Sequence, residues 1–250
     1  MEVKAKKSLG QNWLRNEKIV GEIVAAANLK ASETVVEVGP GQGVLTAPLL
    51  EAGVKVIAIE KDDSLIELLQ VKFKKEIKAG QLEIIHHDAL EFDPILINQP
   101  YKIVANLPYY ITGEFLKKFL TTPHQPELMV LMLQREVAER IVARDKKESV
   151  LSMSVKVYGT PKYVRLVSKG NFQPVPKVDS AILSIEKINK NNFKNLSEEK
   201  FFRVLKMGFS SKRKQLKNNL DLSGELLEHY GNKRAEDLQL TDWLKLCAEN

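Results

Sequence analysis

A single cysteine, Cys247, stands among 250 residues, so the chain can form no internal disulfide and can build neither a four-thiolate zinc site nor an iron–sulfur cluster. That scarcity points to a reducing compartment. Long apolar runs are missing too. Stretches such as Leu128 to Leu133 are far too short to span a bilayer, and the opening MEVKAKKSLGQNWLRNEK has no apolar segment after its lysines. The chain is therefore expected to be cytoplasmic, without a membrane partner. Its histidines lack metal-ligand spacing: His86 and His87 are neighbours on a strand and face opposite ways, and His124 and His229 stand apart, so no metal is expected.

What is present is ample apolar material. At 44% hydrophobic and 28% charged, the sequence is far from the composition of disordered chains and can bury a sizeable core. The net charge of +6 is modest, but its distribution is uneven. Lys200 to Asn219, KFFRVLKMGFSSKRKQLKNN, holds seven basic residues and no acidic one, leaving the other 230 residues at −1. A local patch on a near-neutral body is the footprint of a phosphate-backbone contact, with Lys206, Lys212, Arg213, Lys214 and Lys217 as candidates. On charge alone, a solvated helix face would look the same.

Hydrophobic spacing predicts a helix over 19–29 and a strand over 34–38, then a helix over 46–52, a strand over 55–59 and a helix over 63–78. Strands follow at 82–86, 101–105 and 127–133, with a helix at 113–120 and a charged one starting at Arg135. This alternation predicts an α/β fold with a mostly parallel sheet covered on both faces, and strands at 163–167 and 180–186 as an antiparallel pair at its edge. After Asn189 the composition turns to an Asn/Lys-rich linker, NKNNFKN, and then to helical patterns only. Two domains are expected: 1–189, carrying the sheet, and a small all-helical 190–250.

Glu37-Val-Gly39-Pro-Gly41-Gln-Gly43 falls between a strand and a helix, where glycines permit a tight turn and a close approach of backbone to ligand. The spacing is not that of the dinucleotide turn, and Pro40 removes an N–H which that turn would use. E-x-G-x-G-x-G resembles motif I of the Rossmann-like, S-adenosylmethionine-dependent methyltransferases. Glu60, ending the next strand, is positioned for ribose hydroxyls, and Asp88 of HHDAL for the adenine amino group.

Asn106-Leu-Pro-Tyr109 follows the fourth strand, beside the same crevice. An adenine exocyclic amine is a poor nucleophile because its lone pair is delocalised into the ring. The Asn106 amide oxygen and the Leu107 carbonyl, exposed by the rigid Pro108, can accept both N6 hydrogens and localise that pair. Tyr109 can stack on the base.

Together with KSLGQNWL near the N-terminus, FQPVPKVDSA at 172–181 and GFSSKRKQLKNNL at 208–220, the NLPYYIT segment resembles the small-subunit ribosomal RNA adenine N6-dimethyltransferase family along the whole chain. The resemblance implies a class I methyltransferase sheet and S-adenosylmethionine as methyl donor. It implies dimethylation of two adjacent adenosines in the 3′-terminal stem-loop of 16S ribosomal RNA, within an immature 30S-type particle, by a monomer. By motif position it assigns Asn12, Leu14, Gly39, Gly41, Glu60, Asp88 and Asn106 to the cofactor, and Phe172 to a second aromatic clamp on the flipped adenine; a core phenylalanine would read the same way. Trp13 stands where the family more often has phenylalanine, and His87 where glycine is common. Two other readings remain: a large-subunit adenine methyltransferase of the macrolide-resistance type, which shares the glycine turn and the tetrad, and an assembly factor without catalysis.

Overall fold

The β-branched run Thr34–Val38 is buried at every position and forms β2, an interior strand of a seven-stranded sheet. The structure is a computed structural model that describes residues 5–6, 9–211 and 213–249. Lys212 of the basic segment, and Lys7 and Ser8 of KSLGQNWL, lie outside these residues.

In chain order the elements that position the site begin with β1 (Trp13–Leu14), α1 (Glu17–Ala26), β2, α2 (Thr46–Glu51), β3 (Lys55–Glu60) and α3 (Asp63–Lys72). α4 (Lys74–Lys78), β4 (Leu82–His86), β5 (Tyr101–Asn106), α5 (Thr112–Thr121) and β6 (Leu128–Gln134) follow. After α6 (Arg135–Val142) and α7 (Val150–Lys156) come β7 (Thr160–Val167), β8 (Phe172–Gln173) and β9 (Ser180–Glu186). The last helices are α8 (Glu198–Gly208), α9 (Gly224–Tyr230) and α10 (Leu240–Glu249).

The sheet order is β4-β3-β2-β5-β6-β9-β7. β2 pairs in parallel with both β3 and β5, β3 with β4, and β5 with β6, whereas β9 runs antiparallel to β6. The strand order therefore reverses between β2 and β5. In an open α/β sheet the carboxyl ends at such a reversal form a ligand crevice, and Gly39 and Asn106 emerge there. The expected helix over 63–78 is divided. Phe73 leaves helical geometry at φ −110° and ψ 31°, and its ring turns into the core beneath Gly43.

The fold separates into two compact units. The first runs to Ala138 and resumes at Lys162–Ile188; the second holds Glu139–Pro161 and the chain from Asn189 onward. The boundary near 189 thus has a second crossing: 139–161, expected in the first domain, belongs to the helical unit. The reason lies in contacts that span the sequence. Tyr158 donates to Glu198 at 2.7 Å and accepts the Asn189 N–H on its carbonyl at 2.8 Å, and Glu148 N–H donates to the Glu236 carbonyl at 2.8 Å.

Within that second unit, Ser197 caps α8 by accepting the Lys200 N–H at 3.1 Å, with Glu198 and Glu199 favourably placed in its first turn. Phe201, Val204 and Leu205 form the buried face of α8, which packs on α10. Trp243 and Cys247 are buried on α10, and burial pushes the Cys247 thiol up to about 11.

Candidate active site

Four strand ends surround the crevice. Glycines 39, 41 and 43 all have positive φ, and Gly39 N–H donates to the Ile59 carbonyl at 3.0 Å, which ties the loop after β2 to β3. Gly41 needs glycine for its left-handed backbone, at φ 59°, and the indole of Trp13 lies close against it, 3.2 Å from where a Cβ would be. Lys72 closes the loop from below by donating to the Gln42 carbonyl at 2.8 Å.

Glu60, only 6% exposed, accepts three backbone N–H groups: Gly41 at 3.2 Å, and Lys61 and Asp62 at 2.9 Å each. Burial raises its pKa, while these N–H donors oppose the rise. The carboxylate is thereby fixed at the end of β3 with lone pairs left for hydroxyl donors. Asp88 lies beyond β4, accepting from Lys61 at 2.6 Å and from the Leu90 N–H at 2.8 Å. Burial opposes its ionisation, but these contacts hold its carboxyl below the usual range.

Glu37, completely buried within β2, accepts a hydrogen bond from Thr46 at 2.6 Å, and burial raises its pKa to about 8. It lines a small cavity with Trp13, Leu14, Gly39, Gly41 and Asn106. That cavity adjoins the main crevice, which Asn12, Trp13, Gly39, Gly41, Glu60, Asp88 and the 106–111 segment line. A few convergent polar groups among apolar neighbours, at the reversal of a parallel sheet, are the lining a nucleoside-bearing cofactor needs.

Asn106 ends β5. Its amide Nδ2 donates to the Asn12 carbonyl at 3.1 Å, and its Oδ1 has no protein partner among the described residues. Pro108 is extended, at φ −56° and ψ 128°, before the turn Tyr109–Ile111 that leads into α5. The Leu107 carbonyl likewise accepts no hydrogen bond among the described residues. Two acceptors, one side chain and one backbone, are thus free beside the crevice.

Tyr109 shares a 2.6 Å hydrogen bond with Ser180 at the start of β9, and burial raises its pKa. This contact joins the tetrad to the VDSA segment. Tyr110, not assigned a role from sequence, is 63% exposed and lines the crevice. Phe172 requires a correction. It is 3% exposed, belongs to the hydrophobic core and is absent from the crevice lining, so its ring offers no face to a base. The two-residue pairing of β8 with β1 turns Phe172 and its partner Leu14 inward together.

Several site residues carry no motif of their own. Asp62 accepts from Lys6 at 2.6 Å, Gln11 at 2.9 Å and the Ser64 N–H at 3.1 Å, which straps the segment before β1 to the mouth of the crevice. A carboxylate capping a helix next to a glycine loop is the signal that could have marked it. In the second unit Lys206, Arg213, Lys214 and Lys217 are exposed. Arg213 and Lys214 line a polar cleft with Lys147 and Arg234, where Gln215 forms a β-bridge with Arg234. No helix among the described residues is long and apolar enough to cross a membrane.

The sequence matches the model of the family described as ribosomal RNA adenine dimethylase over residues 2–248. It is 42% identical to the ribosomal RNA small subunit methyltransferase A of Dehalococcoides mccartyi, with 99% of this chain and 89% of the relative aligned. A solved dimethyladenosine transferase from Plasmodium falciparum superposes with a TM-score of 0.77 at 28% identity, covering 93% of this chain and 95% of that one. The 23S rRNA methyltransferase ErmE shares the fold, with a TM-score of 0.78 at 24% identity over 94% of this chain and 98% of that one. A crevice at the sheet reversal, an asparagine held with its carbonyl oxygen free, and a match along nearly the whole sequence lead to one conclusion: the chain belongs to the ribosomal RNA adenine dimethylase family.

Proposed function

We propose that this protein transfers methyl groups from S-adenosylmethionine to N6 of two adjacent adenosines in the 3′-terminal stem-loop of 16S ribosomal RNA, giving N6,N6-dimethyladenosine in an immature 30S-type particle. The reading takes the chain to work as a cytoplasmic monomer. The fixed amide of Asn106 carries the chemistry, and the 42% identity to a small-subunit enzyme supports the choice of subunit.

The crevice fits the cofactor. Glu60, held by three N–H groups, suits the ribose hydroxyls, Asp88 suits the adenine amine, and Gly39 and Gly41 let the backbone approach. Asn12 lines the crevice itself and Leu14 the adjoining cavity. When bound, S-adenosylmethionine supplies an electrophilic sulfonium methyl. Asn106 Oδ1 and the Leu107 carbonyl accept the two N6 hydrogens, turning the nitrogen lone pair out of conjugation and toward that carbon. Because Asn12 already holds Nδ2, the amide needs no reorientation. Tyr109 and Tyr110 supply aromatic surface for the flipped base, the former steadied by Ser180. The amine becomes acidic only after methylation, so solvent can take its proton and no strong base is required.

In the second unit, the exposed Lys206, Arg213, Lys214 and Lys217, with Lys212 between them in sequence, supply the contact to RNA phosphates. Arg234 extends that surface through the shared cleft.

The test is Asn106→Ala. It should lower kcat at least ~100-fold, the scale of one missing transition-state hydrogen bond in a preorganised site, while calorimetry shows RNA binding nearly unchanged. Turnover close to that of the unaltered protein would remove Asn106 from the mechanism.

A further inference from the structure

Trp13 presents a buried donor that meets no acceptor among the described residues. Its indole Nε1 is shielded from solvent and has no hydrogen-bond partner among the described residues, although a buried indole N–H ordinarily finds one. Its position is firmly set. Pairing of β1 with β8 puts Trp13 opposite Gln173 and Leu14 opposite Phe172; since neighbouring strand residues face opposite ways, the inward turn of Leu14 sends Trp13 to the other face. There the indole lies on the glycine loop: an ideal Cβ built on Gly41 would be 3.2 Å from Cδ1 and 3.3 Å from Nε1.

The lining indicates which part of a ligand arrives. Asp88 and Glu60 line the main crevice only, whereas Trp13, Gly39, Gly41 and Asn106 line both it and the adjoining cavity that contains Glu37. A cofactor with its adenine at Asp88 and its ribose at Glu60 therefore extends its amino-acid tail past the glycines toward Trp13. That tail ends in an ammonium and a carboxylate. The indole N–H is a donor only and can pair with the carboxylate alone.

We infer that the Trp13 indole N–H binds the carboxylate of the cofactor's amino-acid tail, an interaction that phenylalanine could not make. The inference rests on the cofactor reading above and deepens it. The unpaired donor is the feature a ligand completes, because a buried polar group left open is costly and an ionic acceptor makes the stronger hydrogen bond.

The test is calorimetric titration of the unaltered protein and of Trp13→Phe with two probes, S-adenosylmethionine and its decarboxylated analogue, which keeps the sulfonium and the amine. Trp13→Phe should weaken S-adenosylmethionine about tenfold, in line with the removal of a hydrogen bond to a charged group, and leave the analogue within about twofold. A melting curve for each protein separates an unfolded variant from a folded one with a weaker site. Unchanged affinity for S-adenosylmethionine, or equal weakening of both probes in a folded variant, would overturn the inference. If the unaltered protein bound neither probe, the cofactor reading itself would fail.

Discussion

Glu37 shows how one residue can carry opposite demands. Held inside β2 with Thr46 as its donor, its carboxyl is raised by burial from 4.5 to about 8, so at neutral pH the folded protein keeps a proton that the unfolded chain has released. The stability this proton confers is complete below about pH 4.5 and is lost as pH rises through about 8. Glu37→Gln is neutral throughout and can still accept from Thr46. Its melting temperature relative to the unaltered protein should climb between pH 5 and pH 9, reaching an advantage of at least ~2 °C; a pH-independent difference would show that Glu37 does not titrate in this way. Sequence made Glu37 legible only as part of a motif. Glu60, Asp88 and Asn106 were easier, because each follows a β-branched strand whose carboxyl end must face the crevice. Phe172 was not, since a two-residue strand has no periodicity from which to tell core from cleft.

Among the elements, the segment before β1 depends on Asp62. Burial alone would raise the Asp62 pKa, yet hydrogen bonds from Lys6, Ser64 and Gln11 bring it down to about 2, so the strap is intact at any physiological pH. Asp62→Ala removes those hydrogen bonds and the cap of α3, the latter worth about 1 kcal/mol. Amide hydrogen exchange at Gln11–Leu14 should quicken and S-adenosylmethionine affinity should fall several-fold. Exchange unchanged at those residues would mean that β1 pairing alone holds the strap. This arrangement could not be read from the sequence, because Lys6 and Gln11 meet Asp62 more than fifty residues away and none of the three lies in a motif that points to the others. By contrast, β2, β4 and β9 matched their expected spans: their apolar runs are bounded by glycine or polar turns and fully determine a strand. The division of α3 from α4 arose because Phe73 gains more from packing beneath Gly43 than from continuing the helix.

Over the whole molecule, the surplus of positive charge is confined to a segment of the helical unit, while the crevice lies in the unit with the sheet. Neutralising Lys212, Arg213, Lys214 and Lys217 should reduce the dependence of RNA affinity on salt by roughly 0.7 to 0.9 in logarithmic slope for each phosphate that is no longer neutralised. A slope unchanged by all four would assign the patch to solubility alone. The alternation of strands and helices made the sheet legible, but the return of 139–161 to the helical unit was not. That segment is joined to it by Tyr158 and Glu148, whose partners lie 40 and 88 residues further along the chain.

The most direct measurement is mass mapping of ribosomal RNA after the purified protein is incubated with isotopically labelled S-adenosylmethionine and either immature small subunits or large subunits. The account predicts labelled N6,N6-dimethyladenosine at two adjacent positions in the 3′-terminal stem-loop of the small-subunit RNA, and none with Asn106→Ala. Label confined to large-subunit RNA, or none in either particle, would contradict it.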